Sequence, residues 1–293
     1  MSSNKTLTQS TQWLFSPLFN DHLMATPPEF LYHYTNGDGL LGIFNTSTLW
    51  ATTIEYLNDS TEFRVASDML KDRLKQEFDF DDTLADVNTL SHRKQIALQL
   101  SQIVEGRHSG GHHVICFCAN GDILSQWRGY SGSYGYSVGF RTDTLTTFAK
   151  EAGFVLGKCI YQREAQKAII NKLCDHCLEM ARSSEIEEIL SKMVDGIIAC
   201  GAFFKDDSFA EENEWRLVSR GRLIWEMRFR RGKSMITPYV VLPIGEEANS
   251  SIDHVYIGPC PHMKLSESSM WMLLGQKRLA GGVRRSKIPF RDW

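Results

Sequence analysis

Two glutamates separated by one residue, Glu212 and Glu214, stand close before Arg216 in the run Glu-Asn-Glu-Trp-Arg. If this segment is extended, these three side chains point to one face, and Trp215 and Leu217 point to the other. Two carboxylates beside a guanidinium shift each other's protonation and can stabilise a developing cation such as an oxocarbenium-like sugar. An exposed polar strand face accounts for the pattern equally well, so both interpretations stay open at this point.

A histidine stands in a short aromatic run from Phe30 to Thr35 that predicts a strand. At the end of such a strand, His33 can present its ring to a ligand while its neighbours pack. A core histidine bonded to a backbone carbonyl is an equally good explanation.

The run from Ser125 to Tyr130 combines tryptophan, arginine, glycine and tyrosine, and we place it in a loop. Flat rings beside a fixed cation bind nucleotides by stacking and by charge-assisted hydrogen bonds. From the pattern alone, a packed Trp127 with a surface Arg128 is the somewhat better explanation.

A fourth segment runs from Tyr56 to Glu62 and contains Asn-Asp-Ser. Asp59 or Ser60 suits the N-cap of a following helix. That explanation leaves Tyr56 unaccounted for, and we keep it as a candidate stacking residue.

The elements that must position these four segments are strands and helices without a regular alternation, which favours an α+β fold. We expect residues 1–28 to be an N-terminal extension and residues 29–293 to form a single domain with helical insertions near 61–106 and 163–200. The predicted strands are 30–35, 48–53, 113–118, 154–161, 214–219, 237–242 and 252–257, and the predicted helices include 38–44, 61–77, 91–105, 142–152 and 265–280.

Composition narrows the class of protein. The 293 residues carry a formal net charge of -3, which gives no overall basic excess of the kind that marks a nucleic-acid binder. Seven cysteines, an odd number, predict free thiols in a reducing cytoplasm. No apolar run reaches the roughly 18 residues of a spanning helix, and no secretory signal opens the chain. The run Cys174-Asp175-His176-Cys177 lacks a second ligand pair, so we expect no metal.

Taken together, the motifs resemble those of a widespread bacterial family of unknown function. The matching segments, in chain order, are His33–Thr35, Trp50–Thr52, Tyr56–Asp59, Ser125–Tyr130 and Glu211–Arg216.

A second resemblance links the opening strand, helix and strand, together with Glu212 and Glu214, to ADP-ribosyltransferases of the diphtheria-toxin and poly-ADP-ribose-polymerase lineage. It implies a split, mixed or antiparallel sheet and NAD as a substrate. Glu214 would stabilise the cationic ribose, Glu212 would orient or deprotonate the acceptor, and His33 would bind a ribose hydroxyl. The family usually has glycine where this chain has Tyr34, which leaves the placement of NAD open.

The same resemblance implies contacts to NAD from Tyr34, from Thr35 near the nicotinamide amide, and from Arg128 at the pyrophosphate. Tyr56 and Tyr130 compete to stack on the nicotinamide ring, and Trp127 would be a further ligand contact. The acceptor would be RNA, DNA or protein, with RNA slightly favoured. Such enzymes often act as toxins or phage-defence effectors, which implies a neutralising antitoxin.

The basic residues that are candidates for holding a nucleic-acid acceptor form two groups in the sequence. These are Arg228, Arg230, Arg231 and Lys233 with Trp225 and Phe229, and Arg284, Arg285, Lys287 and Arg291 with Trp293. Either group can hold a nucleic-acid strand, and a solvated strand face explains them at least as well.

Two other functions remain open. One is a non-catalytic nucleotide-binding sensor that uses the same histidine, tryptophan and arginine. The other is a nuclease that holds a metal between Asp59, Glu62, Glu212 and Glu214.

Overall fold

The computed structural model describes residues 25–57, 61–78, 94, 111–132, 134–180, 185–219, 221–232, 234–279 and 281–289. In these segments ten strands join in one sheet, in which every strand pair is antiparallel except β9 with β10. The strands are β1 (Phe30–Asn36), β2 (Thr48–Thr53), β3 (His113–Cys118), β4 (Gly135–Arg141), β5 (Phe154–Lys158), β6 (Glu214–Ser219), β7 (Arg228–Arg231), β8 (Ile236–Pro243), β9 (Ile252–Ile257) and β10 (Gly282–Arg285).

Strand β3 is the strand at which the sheet branches, because it pairs with three other strands. Strand β6 pairs with it from Val114 to Cys118, whereas β1 meets it through Tyr32 at the Cys118 end and β2 through Thr52 at the Val114 end. A strand has two hydrogen-bonding edges, and β6 occupies one of them. Strands β1 and β2 therefore share the other edge and diverge from it, so the sheet is split beside Cys116.

Helices cover both faces of this sheet. They are α1 (Gly37–Thr46), α2 (Thr61–Phe78), α3 (Leu124–Tyr130), α4 (Thr142–Glu151), α5 (Arg163–Met180), α6 (Ile186–Phe203) and α7 (Met263–Gln276). One apolar core places α1, α4 and α7 against the face that carries Ile115, Phe117 and Leu217. The second core places α2, α5 and α6 against the opposite face, at Val114 and Val218. Because successive side chains of β3 and β6 point to opposite faces of the sheet, the same two strands contribute residues to both cores.

The predicted strands 48–53, 113–118, 214–219 and 252–257 are confirmed with those boundaries. Strand β5 ends at Lys158, earlier than the predicted 161, and β7 and β10 were not predicted, because both are short, charged edge strands. The mixed architecture agrees with the expected α and β class. The expected helix 91–105 lies outside the described residues apart from Lys94, as does the N-terminal extension apart from residues 25–28.

The loop predicted from Ser125 to Tyr130 is wrong, because these residues belong to helix α3. Gly129 lowers the helical propensity of the segment, but packing of the buried Trp127 and Gln126 outweighs that cost. Gly129 itself faces open space.

All seven cysteines fall within the described residues and are free thiols, as expected. Among the described helices, none has the length and apolarity required to cross a membrane.

Candidate functional site

A small pocket opens at the split of the sheet, on the side of β3 where β1 diverges. Its lining includes His33 from β1, Gln126 and Tyr130 from α3, and the carboxylates Glu212 and Glu214. Its volume is about 60 Å³. The fold thus brings together three of the four segments that the sequence singled out.

His33 fills the split beside β3. Its Nδ1 lies 2.9 Å from the carbonyl oxygen of Cys116, which stands between the pairings of β1 and β2. A carbonyl only accepts, so Nδ1 carries the proton. Burial lowers the pKa of His33, the bond to Cys116 opposes this, and the charge of Arg230 lowers it further. A neutral His33 therefore presents Nε2 as a hydrogen-bond acceptor.

Glu214 begins β6 and is almost fully buried. The Nε of Arg216 donates to its Oε1 at 2.8 Å, and the Nη2 of Arg216 donates to its Oε2 at 3.0 Å. The Nζ of Lys205, which follows α6, donates to the same Oε2 at 2.6 Å. The expectation that Glu214 and Arg216 share a face is confirmed, and two cations hold this carboxylate.

These contacts fix the charge state of the cluster. Burial by itself would raise the pKa of Glu214, but Arg216 and then Lys205 outweigh it and lower the pKa to about 2. Burial opposes the charged form of Lys205 too, but the carboxylates, Glu214 above all, raise the pKa of Lys205. All three groups are therefore ionised at neutral pH.

Glu212 lies outside β6, so the segment from 212 to 216 is extended only from Glu214 onward. It ends a 3-10 helix, Asp207–Glu212, and Asn213 follows with a φ of 41° in the left-handed region. Asparagine tolerates that conformation better than most residues. The turn lets Glu212 reach the pocket and also pair with Lys205.

Tyr130 is the tyrosine at the pocket. Its hydroxyl donates to Oε1 of Glu212 at 3.3 Å. Burial and, after it, the charge of Glu212 raise the pKa of Tyr130, so its hydroxyl keeps its proton. Tyr56, the competing candidate, is exposed in the 3-10 turn Ile54–Tyr56 and does not line the pocket.

Tyr34 lines the pocket and also has a structural role. Its hydroxyl donates to the carbonyl of Asn120 at 2.9 Å and accepts from the backbone N–H of Ile123 at 3.0 Å. It thereby ties β1 to the segment that enters α3. Thr35 is not part of the pocket lining, and its side chain lies under Gly39 at the start of α1.

Trp127 and Arg128 do not line the pocket. Trp127 is 2% exposed, and its Nε1 donates to Oδ1 of Asp122 at 2.8 Å. The ring therefore packs in the core with Tyr34, at a ring-centroid distance of 4.8 Å, and has no free face for a ligand. Arg128 is exposed in the last turn of α3.

The thiols at the pocket are poorly suited to act as nucleophiles. Burial, with the nearby Glu214 as a further cause, holds the pKa of Cys116 well above its ordinary value. Burial also raises the pKa of Cys118 to about 11. A nucleophilic cysteine needs the opposite shift, because the thiolate is the reactive form.

A metal centre gains no support from the described residues. They contain no group of three or more histidine, cysteine, aspartate or glutamate side chains that could hold an ion. The ammonium of Lys205 bonds both Glu212 and Glu214, where a nuclease would place its cation. Asp59 and the side chain of Glu62 lie outside the described residues.

Sequence reasoning missed Lys205, the residue that joins the two glutamates. It stands after the apolar helix α6, in Phe-Phe-Lys-Asp, where no spacing marks it as a partner of either carboxylate. It also missed the role of the Cys116 carbonyl, because the split that exposes this carbonyl is a property of the assembled sheet.

The two basic groups lie at opposite ends of the strand order, on β7 and on β10. In the second group Arg285 pairs with Glu267, and Arg284 stands over the ring of Tyr256 at 5.6 Å. The described parts of the two groups therefore do not form one continuous surface.

Comparison with known proteins gives one family match. Residues 126–217 are similar to the family described as a protein of unknown function, DUF2971. The match includes most of α3, most of β6 and the two glutamates, and it spans under a third of the chain. No curated protein and no solved structure matches.

Proposed function

We propose that this protein is an NAD-dependent ADP-ribosyltransferase that transfers ADP-ribose from NAD to an acceptor and releases nicotinamide. The observation that supports this most is the pocket itself. A neutral His33, the ring of Tyr130 and the carboxylates of Glu212 and Glu214 line it together, although they come from distant parts of the chain.

The roles follow from the contacts of each group. The Nε2 of His33 accepts a hydrogen bond from a ribose hydroxyl, and Tyr130 covers the nicotinamide ring. Glu214 already binds Arg216 and Lys205 through both of its oxygens, so we now regard it as a positioning residue. Glu212 meets the pocket with Oε1 and is the carboxylate that faces the substrate.

In the reaction, the bond between the ribose C1′ and the nicotinamide nitrogen breaks, and its electron pair leaves with nicotinamide. The acceptor forms a new bond to C1′ and gives its proton to Glu212. The negative charge of Glu212 stabilises the cationic sugar between these events, which is an electrostatic contribution to the rate. No metal enters this scheme.

The pocket must widen before it holds the nicotinamide ring. At about 60 Å³ it is smaller than the roughly 150 Å³ cavity that accommodates a benzene molecule. Tyr130 is the residue whose movement opens it most directly, because it is 42% exposed at the end of α3. Displacing Tyr130 frees Oε1 of Glu212 for the substrate at the same time.

RNA is the acceptor that we favour. The edge strand β7 carries Arg228 and Arg231, and the rings of Phe229 and Trp225 beside them are 62% and 79% exposed. Exposed rings interleaved with cations stack on bases and neutralise phosphates in single-stranded nucleic acid. A toxin or phage-defence role, with a neutralising protein partner, is part of the same proposal.

A nucleotide sensor is the second candidate, and one observation favours it. Glu212, Glu214, Lys205 and Arg216 carry two negative and two positive charges, so the cluster is neutral as a whole. Such a cluster stabilises a cationic sugar less than an uncompensated carboxylate does. A sensor binds NAD at the same pocket without releasing nicotinamide.

The test is incubation of the protein with NAD labelled in the adenylate phosphate, together with total RNA or with a protein lysate, with and without a chelator. We expect label on RNA, release of nicotinamide, and no effect of the chelator. Glu212→Gln abolishes both signals, whereas the exposed neighbouring variant Glu211→Gln retains them. Binding of NAD without nicotinamide release identifies the sensor, and activity that disappears with the chelator supports a metal-dependent enzyme instead.

A further inference from the structure

Arg230, on β7, is a half-buried cation whose contacts are incomplete. Its Nη2 donates to Oγ1 of Thr52 at 2.9 Å. Its Nε is buried and has no hydrogen-bond partner among the described residues, and no carboxylate in that part of the chain pairs with it. A buried donor of a charged group is costly to leave unsatisfied, which indicates an anionic ligand.

Two aromatic rings stand beside this cation. The guanidinium carbon of Arg230 lies 5.9 Å from the ring centroid of Trp50, and the rings of Trp50 and Tyr239 lie 4.7 Å apart with an angle of 30° between their planes. Trp50 remains 40% exposed. The register pairs Thr52 with Tyr239 and Tyr239 with Arg228, so these side chains share one face of β2, β8 and β7.

This group lies along the same split as the pocket. Thr52 pairs with Val114 where β2 leaves β3, and His33 fills the split from the side of β1. The charge of Arg230 contributes to the lowered pKa of His33, which places the two residues within electrostatic range. The carboxylate pocket and Arg230 therefore lie on the β1 side and the β2 side of the same split in the sheet.

We propose that Arg230, Trp50 and Tyr239 form a subsite for a nucleoside diphosphate, in which Arg230 binds the pyrophosphate and the exposed part of Trp50 packs against the base. The identity of the ligand rests on the proposed function: it is the adenosine-diphosphate part of NAD. The nicotinamide end of the same NAD molecule points toward Glu212. Arg230 takes the role that the resemblance to ADP-ribosyltransferases implied for Arg128.

The test is titration of the full chain with ADP and with ADP-ribose by calorimetry. Loss of a bidentate charged contact predicts that Arg230→Gln weakens the binding of both ligands about ten- to a hundredfold. Arg230→Lys keeps the charge without the planar fork and gives an intermediate affinity. The control is Arg278→Gln, which changes an exposed arginine that follows α7 and bonds Glu247, outside the proposed subsite and both basic groups, and which leaves affinity unchanged.

Thermal melts identify any variant that fails to fold, and Arg230→Lys then gives the result in place of Arg230→Gln. Wild-type affinity for ADP in Arg230→Gln overturns the subsite, as does a wild-type protein that binds neither ligand. If ADP binds through Arg230 but NAD never releases nicotinamide, the subsite stands and the proposed transferase activity does not.

Discussion

The guanidinium of Arg216 grips the carboxylate of Glu214, two residues earlier on the same strand, through two parallel hydrogen bonds of 2.8 and 3.0 Å. The third nitrogen, Nη1, donates to the backbone carbonyl of Ala202 in α6 at 2.9 Å. This pair therefore ties the sheet to the helical layer while it borders the pocket. The same ion pair supports the fold and borders the pocket, so variants must be chosen that separate a loss of stability from a loss of activity.

Glu214→Gln should destabilise the protein, because the neutral amide leaves Lys205 and Arg216 without their shared buried anion. Breaking a buried ion pair typically costs about 3 kcal/mol or more. Urea unfolding should show this loss in the free energy of unfolding. Glu212→Gln, at the more open end of the cluster, should lose clearly less, and equal losses would contradict the anchoring role of Glu214.

Acid should weaken the fold through the same carboxylate. The pKa of Glu214 is about 2 in the folded protein, whereas its ordinary value is 4.5. The contribution of this carboxylate to the stability of the fold is therefore complete above about pH 4.5 and is lost as the pH falls toward 2. The difference in melting temperature between wild type and Glu214→Gln should therefore narrow over that interval. A difference that stays constant from pH 6 to pH 2 argues against the ion pair.

Tyr130 should act through its ring rather than its hydroxyl. Tyr130→Phe keeps the flat surface, loses a single hydrogen bond of 3.3 Å to Glu212, and should retain nicotinamide release within a few-fold. Tyr130→Ala should lose most of it. The matched control is Tyr56→Ala, which alters an exposed tyrosine outside the pocket and should leave the rate of release unchanged.

His33→Ala should raise the KM for NAD about tenfold, the effect of one lost hydrogen bond, and should lower kcat less. It also removes the donor to the Cys116 carbonyl, so its melting temperature should fall. His33→Asn offers a side-chain N–H to that carbonyl but lacks a ring Nε2. If His33→Asn restores the melting temperature while the KM for NAD stays high, the binding role of His33 is separated from its support of the fold. A wild-type KM in both variants would count against a role of His33 in binding NAD.

Trp127→Phe should destabilise the protein without altering its affinity for NAD. The change removes the 2.8 Å bond to Asp122 and leaves a void beside Tyr34. Equilibrium unfolding and NAD titration of the same preparation test both parts. A variant of normal stability with weakened NAD binding would return Trp127 to the list of ligand contacts.

The sequence predicted the strands around the site well, because their alternating or continuous apolar residues belong to cores that the pattern itself reveals. Strand β3 was identified to the residue, and β6 was correct from Glu214 onward. Helix α3 was mistaken for a loop, since its glycine and its tyrosine are not typical of a helix and only the packing of Trp127 favours one.

What the sequence determined by itself is the set of local elements and the presence of His33, Tyr130, Glu212 and Glu214 on or beside them. The tertiary structure decided which of these side chains meet. Hydrogen bonding along both edges of β3 splits the sheet beside Cys116 and thereby gives His33 its carbonyl partner. Charge pairing joins Lys205 to Glu212 and Glu214, seven and nine positions later, and burial places Trp127 in the core. The local sequence pattern cannot predict these contacts, because each one joins segments that come together only when the chain folds.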